Sequence, residues 1–324
     1  MLPGPDFIQL HRDGIHVIDT GFHRPRFDAS FLLVHAGRAA FVDTGTNHAV
    51  PRLLAALEAV GRRPEHVDFV IATHVHLDHA GGAGRLMQHL PQARLVVHPR
   101  GVRHLVDPAR LVASARSVYG DEEMQRSYGD IVGVPAERVL ATHDGMTLDW
   151  NGRRLRFADT PGHARHHHCI WDERTRGWFT GDTFGLSYRE FDTARGPWLL
   201  PTTTPVQFEP RRLRASVQRL LDADPQWMYL THFGAVGEPR ALGASFLEQL
   251  AEVVALGRSL ARAPDRHAAL KRGLERMYLE RIRAHGCTMS DAEALELLAM
   301  DVELNAGGIG IWLDRIDNDA ATAA

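Results

Sequence analysis

Four side chains that can bind a metal ion fall within six residues of one another, directly after an apolar run at residues 69–72. They are His74, His76, Asp78 and His79. A short apolar run of this kind is typical of a buried β-strand, and residues two apart on a strand project to the same side. Imidazole and carboxylate groups are ligands that zinc accepts, and iron and manganese use them too. The segment therefore predicts a metal site at the end of a strand.

Three later positions offer one more ligand each. They are His163, Asp182 and His232. Each follows a strand pattern and stands beside a glycine or a threonine, and strand ends are where layered α/β folds open their clefts. His166, His167 and His168 are also close in sequence, but we expect them to support the site or to lie at the surface.

The order of these motifs resembles the metallo-β-lactamase superfamily over about residues 14–238: His-x-His-x-Asp-His, then Gly-His, then Gly-Asp, then a late His. The resemblance implies an αββα sandwich that holds two divalent metal ions, most simply zinc, with iron or manganese as alternatives. It assigns His74, His76 and His163 to one ion, Asp78, His79 and His232 to the other, and Asp182 as a bridge between them. It also implies that Asp43, in an Asp-x-Gly strand end, supports the ligands.

The elements that must position these residues alternate between strands and helices. A hairpin is predicted at residues 31–43, and further strands at 69–72, 95–97, 138–141, 154–158, 168–171, 177–180 and 227–230. Helices are predicted from about His48, with Asn47 as a candidate cap, and over residues 209–222. This mixture favours a layered α/β fold. We predict a catalytic domain at residues 1–239, with a helical insertion at about 100–135.

Residues 240–324 are predicted to form a helical appendage. Apolar residues recur there at helical spacing, with further helices near 265–284 and 291–304, and Ser290 is a candidate cap for the last. The tail from Asp317 is expected to fray. The apolar helices could also bury a second face in a homodimer.

Composition excludes several classes of function. The 324 residues carry 37 basic and 40 acidic side chains, so no basic excess is left for a nucleic-acid partner. Two cysteines, far apart in sequence, give no disulfide framework and indicate a reducing compartment. No run of 18 apolar residues predicts a membrane span, and no signal peptide is recognised at the N-terminus. We therefore expect a cytoplasmic protein without a membrane partner.

Within the superfamily the sequence resembles glyoxalase II-like and thioesterase-like hydrolases, through Thr-His-x-His-x-Asp-His-x-Gly-Gly and Thr-Gly-Asp-Thr. This implies a hydroxide shared by two metal ions that attacks a thioester, ester or lactone carbonyl, with Asp78 as a ligand that also orients or accepts the proton. A small acyl substrate is expected. Phe22, His23 and Phe184 are candidate pocket residues. A set of basic glutathione-binding residues is not recognised, because Lys271 is the single lysine.

Two other functions remain open from the sequence. A mononuclear iron enzyme of the persulfide dioxygenase type would use two histidines and one aspartate of the same scaffold. A non-catalytic effector would keep the metals and signal through its helices. The full set of seven ligand positions favours the dinuclear hydrolase.

Overall fold

The computed structural model describes residues 5–203 and 206–322, and these form two compact units. The first unit contains the residues up to Asp159, His166–Gly181 and Asp224–Gly237. The second contains Thr160–Arg165, Asp182–Ala223 and the residues from Glu238. Because the chain passes repeatedly from one unit to the other, neither unit is a continuous stretch. The predicted domain boundary after residue 239 lies near the last of these passages and stays a prediction.

The first unit contains a seven-stranded sheet in which the strands follow chain order. Its strands are β1 (Ile8–Arg12), β2 (Ile15–Asp19), β3 (Ala29–His35), β4 (Arg38–Val42), β5 (Val67–Ala72), β6 (Arg94–Val97) and β7 (Val139–Ala141). The first four strands are antiparallel, and β4 to β7 are parallel. The predicted hairpin is β3–β4, and Gly37 at φ 81° supplies its turn.

A six-stranded sheet completes the strands of the first unit, in the order β13-β12-β11-β10-β9-β8. Its strands are β8 (Thr147–Trp150), β9 (Arg153–Asp159), β10 (His168–Asp172), β11 (Gly177–Gly181), β12 (Trp227–Leu230) and β13 (Gly234–Val236). Only β11 and β12 are parallel. The sequence predicted β9 to β12 within one or two residues but gave no signal for β8 or β13.

Helices occupy both units. They are α1 (Val50–Ala59), α2 (Leu77–Ala80), α3 (Ala83–His89), α4 (Val102–Val106), α5 (Ala109–Tyr119), α6 (Asp121–Glu123), α7 (Pro210–Asp222), α8 (Pro239–Ser259), α9 (Arg266–Ala284) and α10 (Asp291–Thr322). Short 3-10 turns lie at Asn47–Ala49, Pro64–His66, Ala136–Arg138 and Arg189–Phe191, and one π-helical turn lies at Met124–Tyr128. None of the helices in the described part of the chain combines the length and apolarity that a bilayer crossing requires.

Two apolar clusters hold the first unit together. One joins inward-facing residues of both sheets, such as Phe31 and Ile71 from the first and Phe157 and Phe179 from the second. The other packs helices α1 and α3, through residues such as Leu53 and Leu86, on the opposite face of the seven-stranded sheet. Alternation along each strand produces these two faces, since successive side chains point to opposite sides.

One local prediction is wrong. Asn47 does not cap α1; its side-chain amide donates a hydrogen bond to the Asp130 carbonyl, and a 3-10 turn precedes the helix. Helix α10 continues to Thr322, past Asp317, the residue from which the sequence predicts fraying. The predicted cap at Ser290 is confirmed: its Oγ accepts a hydrogen bond from the Glu293 amide at 3.3 Å, and the Glu293 carboxylate accepts one from the Ser290 amide at 3.0 Å.

The second unit is mainly helical, and close backbone approaches join its helices. A Cβ atom on Gly243 of α8 would lie 2.7 Å from a Leu221 methyl group of α7. A Cβ atom on Gly257 would likewise lie 2.7 Å from a methyl group of Ile309 in α10. Asn305 of α10 fixes the loop after β11, since its side chain accepts a hydrogen bond from the Thr203 amide and donates one to the Pro201 carbonyl.

Candidate metal centre

The Asp43 carboxylate joins four backbone segments of the first unit. Asp43 follows β4, and its Oδ1 accepts a hydrogen bond from the Thr73 amide at 2.8 Å. Its Oδ2 accepts bonds from the hydroxyls of Thr73 and Thr231, at 2.9 and 2.8 Å, and lies 2.9 Å from His79 Nδ1. The ends of β4, β5 and β12 and the helix α2 are thereby held to one fully buried carboxylate. This arrangement suits the supporting role that the resemblance implied.

Three predicted ligands meet beside this carboxylate. The ligand atoms of Asp78, His79 and His232 all lie within 4.8 Å of one another. Asp78 Oδ2 is 3.7 Å from His79 Nε2 and 3.4 Å from His232 Nε2. His232 Nδ1 lies 2.9 Å from the Phe27 carbonyl, which can only accept a hydrogen bond. Because Asp43 and Phe27 hold the two Nδ1–H groups, the Nε2 lone pairs of both histidines face Asp78.

His74 and His76 form a second pair of donors at the end of β5. His74 Nε2 and His76 Nδ1 are 2.9 Å apart. His74 Nδ1 lies 3.1 Å from the Thr73 hydroxyl, which itself donates to Asp43. That hydroxyl can accept a hydrogen bond from the His74 Nδ1–H group, so the His74 Nε2 lone pair is directed toward His76.

The second unit contains the other two predicted ligands. His163 follows β9 by four residues, and Asp182 directly follows β11. His163 Nε2 lies 3.5 Å from Asp182 Oδ2, and both side chains are buried. Gly162 brings the His163 loop against α7, since a Cβ atom there would lie 2.2 Å from the Leu213 amide nitrogen. Its φ of 138° also favours glycine.

The donor set fits divalent metal ions. Zinc and related ions bind imidazole nitrogens and carboxylate oxygens in proteins, and here the far nitrogens of His74, His79 and His232 are held by a hydroxyl, a carboxylate and a carbonyl. Asp78, His79 and His232 supply three such donors within reach of one ion.

The three consecutive histidines at 166–168 are all buried, which excludes the surface position and leaves the supporting position, the other of the two that the sequence predicts. The His167 ring stacks on His74 with centroids 4.8 Å apart. His168 begins β10, and its Nε2–H donates to the Ala72 carbonyl at 2.8 Å while its Nδ1 lies 2.8 Å from the Thr142 hydroxyl. Burial lowers the pKa of His168 to about 3, and burial together with His76 and His104 lowers the pKa of His166 to about 2. Both rings are therefore neutral near pH 7.

The predicted pocket residues have different surroundings. Phe22 and His23 belong to an aromatic group of the first unit, and both lie within 6 Å of the Phe27 ring by centroid distance. The Phe27 ring in turn lies 5.3 Å from the His232 ring by centroid distance, and no sequence pattern indicated this residue. Phe184 is fully buried in the second unit and stacks near Phe246, at 6.0 Å. A role in substrate binding stays a prediction for all three.

Comparison with known proteins identifies a family. The model of the Metallo-beta-lactamase superfamily matches residues 23–232. A crystal structure of an archaeal metallo-beta-lactamase superfamily protein from Sulfolobus tokodaii superposes with a TM-score of 0.60 at 25% identity, over 74% of this chain and 86% of that chain. A metallo-beta-lactamase family protein from Thermus thermophilus superposes with a TM-score of 0.60 at 25% identity, over 78% of this chain and 83% of that chain. The two sheets and C-terminal helices of this chain confirm the predicted fold class.

Relatives named for their activity match shorter parts of the chain. It is 26% identical to a hydroxyacylglutathione hydrolase of Aeromonas hydrophila, over 64% of this chain and 63% of the relative. It is 26% identical to an atrochrysone carboxyl ACP thioesterase of Aspergillus fumigatus, over 55% of this chain and 42% of the relative. These names support the prediction of a metal-dependent hydrolase.

Proposed function

Since this chain belongs to the metallo-beta-lactamase superfamily, we propose that it is a dinuclear metal-dependent hydrolase of thioesters, esters or lactones. The observation that supports this best is the group of Asp78, His79 and His232, whose donor atoms lie within 4.8 Å of one another, with both histidines held at Nδ1. Two relatives named as a hydroxyacylglutathione hydrolase and an ACP thioesterase favour thioesters among the three substrates.

The proposed ligands are the seven residues of the family's ligand order: His74, His76, His163, Asp78, His79, His232 and Asp182. Zinc is the proposed metal, with iron or manganese as alternatives. A homodimer and a cytoplasmic location remain predictions of the sequence.

The roles of the protein groups follow from their contacts. Two divalent ions bound here would lower the pKa of a water molecule and polarise the acyl carbonyl. Asp43 keeps His79 in the tautomer that presents Nε2, and the Phe27 carbonyl does the same for His232. Asp78 Oδ2 lies 3.7 and 3.4 Å from these two nitrogens, and Asp78 is the partly exposed member of the group, which suits it to orient the attacking water and accept its proton. The water oxygen joins the acyl carbon, the carbon–sulfur bond breaks, and the thiolate leaves with that proton.

The test combines metal analysis with substitution. We expect purified protein, expressed with metals available, to contain about two metal equivalents per chain. His76→Ala and Asp182→Ala should abolish turnover on a panel of thioesters, esters and lactones while the circular dichroism spectrum is unchanged. His89→Ala is the matched control, because His89 is exposed at the end of α3.

Three outcomes would contradict the proposal. Unchanged turnover in His76→Ala would remove the ligand assignment. A single iron with oxygen consumption on a persulfide would favour the dioxygenase. Loaded metals without turnover on any substrate would favour the non-catalytic effector.

A further inference from the structure

The second unit contains a cavity of about 830 Å³ between the start of α7, the middle of α8 and the end of α10. Cavities of this size hold drug-sized ligands, which are much larger than an acetyl group. Two kinds of side chain line it: arginines, from the segment after His163 and from α7, α8 and α10, and apolar side chains, mainly from α8 and α10. Together they indicate the chemistry of the molecule that fits.

Arginines dominate the polar part of the lining. They are Arg165, Arg211, Arg212, Arg214, Arg258 and Arg315, and they face a single carboxylate, Glu209. Glu209 is already shared, since it accepts hydrogen bonds from Arg165 at 2.6 Å and pairs with Arg212 at 2.7 Å. Arg315 donates to the backbone carbonyls of Val206 and Phe208. Within the described ranges no carboxylate pairs with Arg211, Arg214 or Arg258, so the cavity has a large positive excess.

The apolar part of the lining comes from α8 and α10. Leu250 and Val254 of α8 face the cavity, with Trp312 and Ile316 of α10. The Arg258 guanidinium lies 6.0 Å from the Trp312 ring, where the charged and apolar linings meet. Guanidinium groups bind phosphate oxygens in pairs of hydrogen bonds, whereas the apolar surface gains free energy by covering an alkyl chain.

The cavity is connected to the loop that carries His163. Arg165 stands two residues after His163, and the Glu209 amide donates to the Gly162 carbonyl at 2.7 Å. The loop with a proposed metal ligand and the first turn of the arginine-bearing helix α7 are thus hydrogen-bonded to each other within one unit. A molecule held by these arginines would be anchored on the segment that holds His163.

We propose that this cavity binds the carrier part of an acyl thioester whose thiol bears several phosphate groups, as coenzyme A does, with part of the acyl chain against the apolar lining. The proposal rests on the proposed hydrolase function and names its substrate class. The positive charge of six arginines exceeds what one carboxylate and a single phosphodiester would neutralise. A thiol carrier with several phosphate groups therefore fits better than a carrier with one.

The experiment measures binding without turnover. The metal-loaded full chain is titrated calorimetrically with palmityl-coenzyme A thioether, which cannot be hydrolysed, and separately with coenzyme A and with palmitate. We expect the thioether to bind most tightly. Arg211→Glu/Arg214→Glu should raise its dissociation constant about tenfold or more, and added salt should weaken binding to the unaltered protein.

The matched control is Arg272→Glu/Arg276→Glu on α9, which changes the net charge equally at two exposed positions outside the cavity. It should leave the dissociation constant within about twofold of the unaltered value. Arg258→Glu, on a different helix, is a second variant should the first fold poorly, and it should weaken binding in the same direction.

Several results would overturn the proposal: no binding of the thioether, equal weakening in the control pair, or palmitate binding as tightly as the thioether. Failure of this inference and failure of the proposed function give different results. A chain that binds the thioether through these arginines but hydrolyses no thioester contradicts the hydrolase alone. A chain that hydrolyses thioesters with no dependence of binding on these arginines contradicts this inference alone.

Discussion

One buried carboxylate, that of Asp43, organises the predicted ligands of the first unit. It has no exposure to solvent and receives hydrogen bonds from Thr73, Thr231 and His79. Charge-assisted bonds of this kind are stronger than neutral ones, and an imidazole held at Nδ1 keeps its Nε2 lone pair aimed in one direction. Asp43 therefore acts as a positioning residue, through His79, and contacts no reacting atom.

We predict that Asp43→Asn weakens metal binding about 10- to 100-fold. The Asn side-chain amide cannot accept hydrogen bonds from all of these donors, so the tautomer of His79 is no longer fixed. Competition with a chelator measures the affinity. Asp149→Asn is the control, since Asp149 is exposed and accepts only a backbone hydrogen bond, from Gly152. An unchanged affinity in Asp43→Asn, with the fold intact, would show that the carboxylate does not position the ligand.

The seven proposed ligand residues could be recognised from sequence because they are closely spaced, follow the family's order, and come after strand signals. Their supports were harder to find. His167 stacks on His74 from a position far along the chain, and Phe27 holds His232 through a backbone carbonyl, which has no residue type to recognise. Contacts of this kind depend on tertiary packing and leave no local pattern.

Among the elements, β9 and β10 are joined by a fully buried ion pair. Arg153 donates two parallel hydrogen bonds to the Asp172 carboxylate, at 3.0 and 2.7 Å, and Thr175 donates a third at 2.7 Å. Both charged side chains are inaccessible to solvent. Such a pair is costly to bury, but once formed it is much more costly to break, because the remaining charge stays buried without a partner.

We expect Asp172→Asn to lower the free energy of unfolding by about 3–5 kcal/mol, since it removes the negative charge and keeps the shape. Urea denaturation followed by circular dichroism measures the loss. Glu173→Gln is the neighbouring control: its pair with Arg154 is exposed and 3.5 Å long, so its loss should be under about 1 kcal/mol. Equal losses in the two variants would mean that burial adds nothing to the pair.

Sequence patterns located elements well where they are short and apolar. Strand β12 was predicted at its observed bounds, Trp227–Leu230, because an apolar run with turn residues on both sides is a clear signal. Helix α10 was predicted to end near residue 304. It continues through Gly307 and Gly308, where intrinsic propensity is poor, since Ile309 and Leu313 are buried in the second unit.

For the whole molecule, buried neutral histidines link stability to pH. Burial lowers the pKa of His168 to about 3, from an ordinary value of 6.5 in the unfolded chain. Between these values the unfolded state binds a proton that the folded state does not, so the free energy of unfolding falls as pH falls. Asp28 acts in the opposite direction, because burial raises its pKa to about 7 and the folded state then holds the additional proton.

We therefore predict that His168→Gln reduces the slope of the unfolding free energy against pH between pH 6 and 4. The reduction is at most about 1.4 kcal/mol per pH unit, which corresponds to one proton. The free energy of unfolding of both proteins is measured by urea titration at each pH. Comparing the two slopes cancels the contributions of Asp28 and of the other histidines. Identical slopes would mean that His168 is protonated in the folded protein.

The interleaving of the two units has a consequence for how such a protein can diversify. The second unit is assembled from three separate stretches of the chain, and two of those stretches begin within four residues of His163 and Asp182. A genetic exchange that replaced this unit would need several joined breakpoints and would remove two of the seven proposed ligands with it. An exchange confined to the continuous stretch from Glu238, which carries α8, α9 and α10, would leave all seven proposed ligands in place.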